Sequence, residues 1–143
     1  MLAETTLTSP SQPRTLSDPA KKSAARVLVV DDEWLVRWSV TEALAARGLD
    51  VEEAGDAKAA MHAFDDVCDL VLLDVHLPDS EDLRVLSFIR GKSASVPVIV
   101  MTAFGTREIE EEAAALGASV VVKPFDLNDL AAAVERALAG RVY

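Results

Sequence analysis

The run Leu70-Val71-Leu72-Leu73 meets no polar residue before Asp74, and Pro78 follows four positions later. An apolar run this short and uniform describes a strand buried on both faces, the habit of parallel sheets rather than of half-exposed antiparallel ones. The proline takes the chain out of regular structure by Leu77. Asp74 therefore falls where a buried strand opens into a loop, and in open α/β sheets ligands bind just beyond the carboxyl ends of the strands. Any fold for this chain must account for a carboxylate at that point.

Other segments repeat the theme and alternate with stretches of helical period. Val27-Leu28-Val29-Val30 is a first buried strand, followed by a helix from about Glu33 to Arg47 with Val36, Val40, Ala43 and Leu44 inward and Gly48 as its stop. A weaker strand, Asp50 to Ala54, precedes a helix whose inner face is Ala57, Ala60, Met61 and Phe64. After the Asp74 strand comes a helix with Leu83, Leu86 and Ile89, ending at Gly91. Val96 to Met101 forms a fourth strand running into Thr102, and the fourth helix covers about Thr106 to Leu116, with Ile109, Ala113 and Leu116 inward and Gly117 closing it. Ser119 to Val122 is the fifth strand; the last helix follows Asp126, a good N-cap, and buries Leu127, Leu130, Val134 and Leu138. Such strand–helix units predict an α/β fold, a parallel sheet with right-handed crossovers and helices on both faces. Five strands fit the flavodoxin-like, doubly wound order 2-1-3-4-5, with five helices.

The 143 residues suffice for one domain with a core, placed over 26–143. Residues 1–25, with Pro10, Pro13 and Pro19 among small polar residues, are expected to form a flexible tail. No apolar run reaches the ~20 residues of a membrane helix, and the start carries neither a basic nor an apolar stretch of a secretory signal. The single cysteine, Cys68, excludes an internal disulfide and is expected to be a small core residue. A cytoplasmic protein without membrane association is the expectation. A formal net charge of −10 repels phosphate backbones, so no nucleic acid is expected as a direct partner.

At the carboxyl ends of the strands stand Asp31-Asp32, Asp74, Thr102 and Lys123, and the order 2-1-3-4-5 makes strands 1, 3, 4 and 5 neighbours. Polar residues at strand ends can simply meet water, but three carboxylates facing one lysine is a costly arrangement without a ligand. Their net charge of −2 suits a hard divalent cation with oxygen ligands, Mg²⁺ above all. With cation and lysine in place, a dianionic phosphoryl group on Asp74 becomes tolerable, and this is the stabilisation phosphoryl transfer requires. Thr102 adds a hydroxyl able to donate to a phosphoryl oxygen.

As a set, Val30-Asp31-Asp32-Glu33, Leu72-Leu73-Asp74-Val75-His76-Leu77-Pro78, Met101-Thr102-Ala103 and Val122-Lys123-Pro124-Phe125 resemble the signatures of a response-regulator receiver domain over about residues 25–140. The run Val98 to Thr106 is also similar to receivers of the nitrogen-control transcription-regulator class. The resemblance implies that Asp74 accepts a phosphoryl group from a histidine kinase or phosphotransfer protein. It implies that Asp32, Asp74 and the backbone carbonyl of His76 hold Mg²⁺, with Asp31 acting through water, and that Thr102 and Lys123 bind the phosphoryl oxygens. A cis Lys123–Pro124 bond is part of the same pattern. The output partner is left unnamed; the family's usual face is Thr106–Leu116, Val120 and Leu127–Leu138, through which a homodimer is also open.

Two positions depart from the pattern. Val120 stands where receivers usually carry Phe or Tyr, so the ring that commonly swings inward is missing. Asp82 replaces a glycine before the third helix; it either tolerates positive φ or caps that helix. His76 and Phe104 are expected to flank the phosphoryl path, with His76 either an exposed loop residue or a group touching the attacking water. Trp34 and Trp38 cannot both point inward with Val36 and Val40. Three rivals stand beside the signalling switch: a phosphohydrolase with an aspartyl-phosphate intermediate, a transcription factor without its output module, and a receiver scaffold that signals without phosphate.

Overall fold

The computed structural model describes residues 24–80 and 82–140. The expected tail lies outside them except for its last two residues. In chain order the elements are β1 (Arg26–Val30), α1 (Trp34–Ala45), β2 (Asp50–Ala54), α2 (Ala57–Ala63), β3 (Leu70–Asp74), α3 (Arg84–Lys92), β4 (Val98–Thr102), α4 (Arg107–Ala115), β5 (Ser119–Val122) and α5 (Leu127–Ala139). All strand pairs are parallel and the sheet order is β2-β1-β3-β4-β5, the 2-1-3-4-5 arrangement expected.

Because successive side chains of a strand point to opposite faces, the sheet divides the core in two. Val27, Val29, Leu70, Leu72, Ile99 and Met101 pack with Val40, Leu44, Leu130, Ala131 and Val134 of α1 and α5. Leu28, Val30, Val71, Leu73, Val98 and Val100 pack with Ala60, Leu86, Ile89 and Ala113 of α2, α3 and α4. Each fully buried aliphatic side chain stabilises by about 1.5–3 kcal/mol, so the three central strands anchor both layers. Cys68 is buried in the second layer, and burial pushes its thiol up to about 11, as suits an inert core residue.

Helix ends follow local chemistry, with some corrections to the sequence expectation. Gly48 and Gly117 take φ of +84° and +71° and stop α1 and α4 as left-handed caps. Thr106 accepts the Ile109 N–H at 3.2 Å and Asp126 the Asp129 N–H at 3.0 Å, so both helices start on the residues that can cap them. By contrast α3 runs through Gly91 and stops at Ser93, so a glycine without positive φ is no terminator there. β4 begins at Val98 rather than Val96, since Pro97 has no N–H to give the ladder, although its carbonyl accepts from Val71 at 3.0 Å. Leu127, expected to be buried, opens α5 and is 37% exposed, because the helix reaches the sheet only at Leu130.

Candidate functional site

Strand register brings the site together. Val30 pairs with Leu73, so Asp31 comes abreast of Asp74 one residue later. Asp74 pairs with Met101, which precedes Thr102, and Thr102 pairs with Val122, which precedes Lys123. Asp31, Asp74, Thr102 and Lys123 thus stand in one row at the carboxyl edge, as expected from the sequence. Asp31, Asp74 and Thr102 are buried, whereas Asp32 is exposed at the mouth. The Lys123–Pro124 bond is cis.

Lys123 is the hub. Its Nζ lies 2.8 Å from Asp31 Oδ2, 3.4 Å from Asp74 Oδ2 and 3.2 Å from Glu33 Oε1. Burial alone would pull the ammonium down, but the hydrogen bond it donates to Asp31, the charges of Asp74 and Asp31, and the hydrogen bond it donates to Glu33 outweigh it and hold Lys123 above its ordinary value. Asp31 is fully engaged: its other oxygen accepts the Glu33 N–H at 2.9 Å, its own N–H donates to Ala54 O at 3.1 Å, and its carbonyl accepts from Arg37 Nη1 at 2.5 Å. Asp74 is pushed up to about 6, first by burial and then by the neighbouring charge of Asp31, with Lys123 and the His76 N–H working against both. A carboxylate so placed is still ionised at neutral pH and is a usable oxygen nucleophile.

Carboxylate oxygens of Asp31, Asp32 and Asp74 lie within 4.8 Å of one another. Three hard oxygen donors at this spacing, one fully wired, one buried and one open to solvent, fit a divalent cation that keeps part of its water shell. They open into a cavity of about 290 Å³ lined by Asp32, Glu33, Asp74, His76, Ala103 and Lys123. Across its rim the His76 and Phe104 rings meet edge to face, centroids 6.1 Å apart. Both residues are exposed, as expected of groups flanking the entrance.

Thr102 sits in the row, but its hydroxyl is turned into its own loop, accepting from the Phe104 N–H at 3.1 Å and donating to the Phe104 carbonyl at 3.2 Å. Asp82 is not the N-cap of α3, which is Leu83; from one residue earlier its Oδ1 accepts from the Arg84 N–H and from Ser80 Oγ, each at 3.0 Å. Val120 is half-buried against the α2–α4 layer. Sequence reasoning missed Glu33 as a Lys123 partner and Arg37 as a clamp on Asp31. It also missed Asp79, whose carboxylate accepts the Ala57 N–H at 2.7 Å and the Lys58 N–H at 3.0 Å. Glu33 stands beside the acidic pair and could have been suspected on that ground; Asp79 in Pro78-Asp79-Ser80 carries only a turn signal.

The family model for the response regulator receiver domain matches residues 27–135. Regulatory protein AtoC of Escherichia coli is 39% identical over 115 residues, covering 79% of this chain and 25% of that protein. The DNA-binding transcriptional regulator NtrC of Azospirillum brasilense is 38% identical over 118 residues, covering 81% of this chain and 24% of that protein. The chain thus spans about a quarter of the length of these two curated relatives. Among solved structures, the non-phosphorylated HemR receiver domain from Leptospira biflexa matches with a TM-score of 0.79 at 26% identity, covering 83% of this chain and 98% of that one.

Proposed function

Since the chain belongs to the response-regulator receiver family of two-component signalling, we propose that Asp74 is its phosphoacceptor and that the acidic row holds the cation its chemistry needs. The observation that carries this is the Lys123 ammonium seated between buried Asp31 and Asp74, at the mouth of a cavity that also exposes Asp32. In the transfer, an Asp74 oxygen forms a bond to phosphorus as the P–N bond of a phosphohistidine donor breaks and the imidazole leaves. Lys123 stays beside the new dianion and offsets it. Thr102 releases Phe104 and donates its hydroxyl to a phosphoryl oxygen. Asp32, Asp74 and the His76 carbonyl are assigned as direct Mg²⁺ ligands, and Asp31, already bound to Lys123 and Glu33, as a ligand through water. Bound there, Mg²⁺ supplies positive charge against the phosphoryl oxygens.

Phosphoryl group and signal thereby share one domain: a switch that catalyses its own phosphorylation and hydrolysis. The donor is a histidine kinase or phosphotransfer protein. The output partner is assigned to α4, β5 and α5, where Ile109, Val120 and Val122 are partly or fully open to solvent. With a net charge of −10, the chain acts through protein contacts rather than by touching DNA itself. Cytoplasmic residence fits such a donor; among the described residues no helix is long and apolar enough to cross a membrane.

Incubation with acetyl phosphate and Mg²⁺ followed by intact-mass measurement tests the assignment. Wild type gains one phosphoryl group and Asp74→Asn gains none. Equal addition to both proteins, or none to either, would overturn it.

A further inference from the structure

The loop that leaves β3 is tied down at three places. Val75 N–H still donates to Met101 O on β4 at 3.1 Å. Leu77 and Ser80 exchange backbone hydrogen bonds of 2.9 and 3.1 Å, closing a tight turn over Pro78 and Asp79. At the tip of that turn the Asp79 carboxylate leaves its own loop and spans the first two N–H groups of α2, at Ala57 and Lys58. Asp56 caps the third free N–H, at Ala59, from 2.7 Å. Two aspartates therefore divide the open donors of one helix start between them, one local and one brought from 22 residues away.

This division has a consequence for the site. Ala57 is three residues past Ala54, whose carbonyl accepts the Asp31 N–H at 3.1 Å. The Asp79 clamp therefore joins the loop carrying His76 to the connection that holds Asp31 in place. These are the two sides of the cavity between which a cation would be shared. Resting on the Mg²⁺ reading above, we propose that Asp79 is a positioning residue that fixes the spacing between the Asp31–Asp32 side and the Asp74–His76 side, and so sets the affinity for Mg²⁺. Asp56, which caps the same helix without touching the β3–α3 loop, has no such role.

Calorimetric titration with Mg²⁺ separates the two aspartates. Groups that orient metal ligands from outside typically change affinity 10–100-fold when removed. Asp79 acts one step further out, so Asp79→Ala is expected to weaken binding roughly tenfold. Asp56→Ala lowers the melting temperature comparably and leaves the affinity within about twofold of wild type. Asp79→Asn, which keeps one acceptor oxygen, falls between wild type and Asp79→Ala and serves if the alanine variant does not fold. Unchanged affinity in the Asp79 variants, or equal weakening by Asp56→Ala, would overturn the positioning role while leaving Asp74 as phosphoacceptor. Absence of Mg²⁺ binding in wild type itself would remove the metal reading and this inference with it.

Discussion

Asp74 is held between two opposing influences, burial beside Asp31 against the attraction of Lys123 and the His76 N–H. Burial wins, so the folded carboxyl stays protonated up to about pH 6, whereas in the unfolded chain it ionises near 3.8. A raised folded value means that the neutral form favours folding and that this advantage is lost as pH rises through about 6. Asp74→Asn, which stays neutral, should therefore unfold at higher urea concentration than wild type at pH 7.5 without metal, by on the order of 2 kcal/mol. By about pH 3, below the unfolded value, the two curves should converge, and a constant difference across pH would refute the account. Val120 marks the other side of this scale. It was legible as a missing ring, and in the fold it packs against the α2–α4 layer. Which oxygen Lys123 chooses was not legible, because Glu33 enters the site only through a side-chain torsion that no spacing rule fixes.

Arg90 shows what elements need beyond strands and helices. It leaves α3 and donates to four carbonyls: Leu116 at 2.6 Å, Val96 at 2.8 Å, Ser93 at 3.2 Å and Gly117 at 3.3 Å. These belong to the end of α4, the entry to β4 and the exit of α3, three chain segments whose carbonyls have no ladder to join. Arg90→Ala should cost on the order of 2–4 kcal/mol in urea unfolding, since several acceptors lose a charged donor together. Arg90→Lys should recover less than half of it, as an ammonium cannot reach so many directions as a planar fork. Periodicity located the helices, and Gly48, Gly117, Thr106 and Asp126 marked ends of α1, α4 and α5, because caps are local chemistry. It misplaced the end of α3 at Gly91 and the burial of Leu127, because both depend on where the helix axis meets the sheet. Asp79 was invisible for the same reason: its partners lie 22 and 21 residues away.

Over the whole molecule, a net charge of −10 works against compaction. Added NaCl should raise the melting temperature by screening this repulsion, and Mg²⁺ should raise it further at equal ionic strength. Asp74→Asn should keep the first increment and lose most of the second; scanning calorimetry of both proteins in both salts checks this. The order 2-1-3-4-5 was legible because each strand is short, apolar and followed by a helix, leaving few ways to pack the set. From that order one mechanical consequence follows. Among the described residues β5 is an edge strand with a backbone neighbour on one side only. Yet Lys123, the residue just past it, stretches over β4 to grip Asp74 at the end of β3 and Asp31 just past β1. The ammonium is thus a mooring line thrown from the rim of the sheet to its centre, and adding charge at the centre alters its tension. The rim strand lies between α4 and α5, so a protein resting on that face would feel the pull without any ring having to turn.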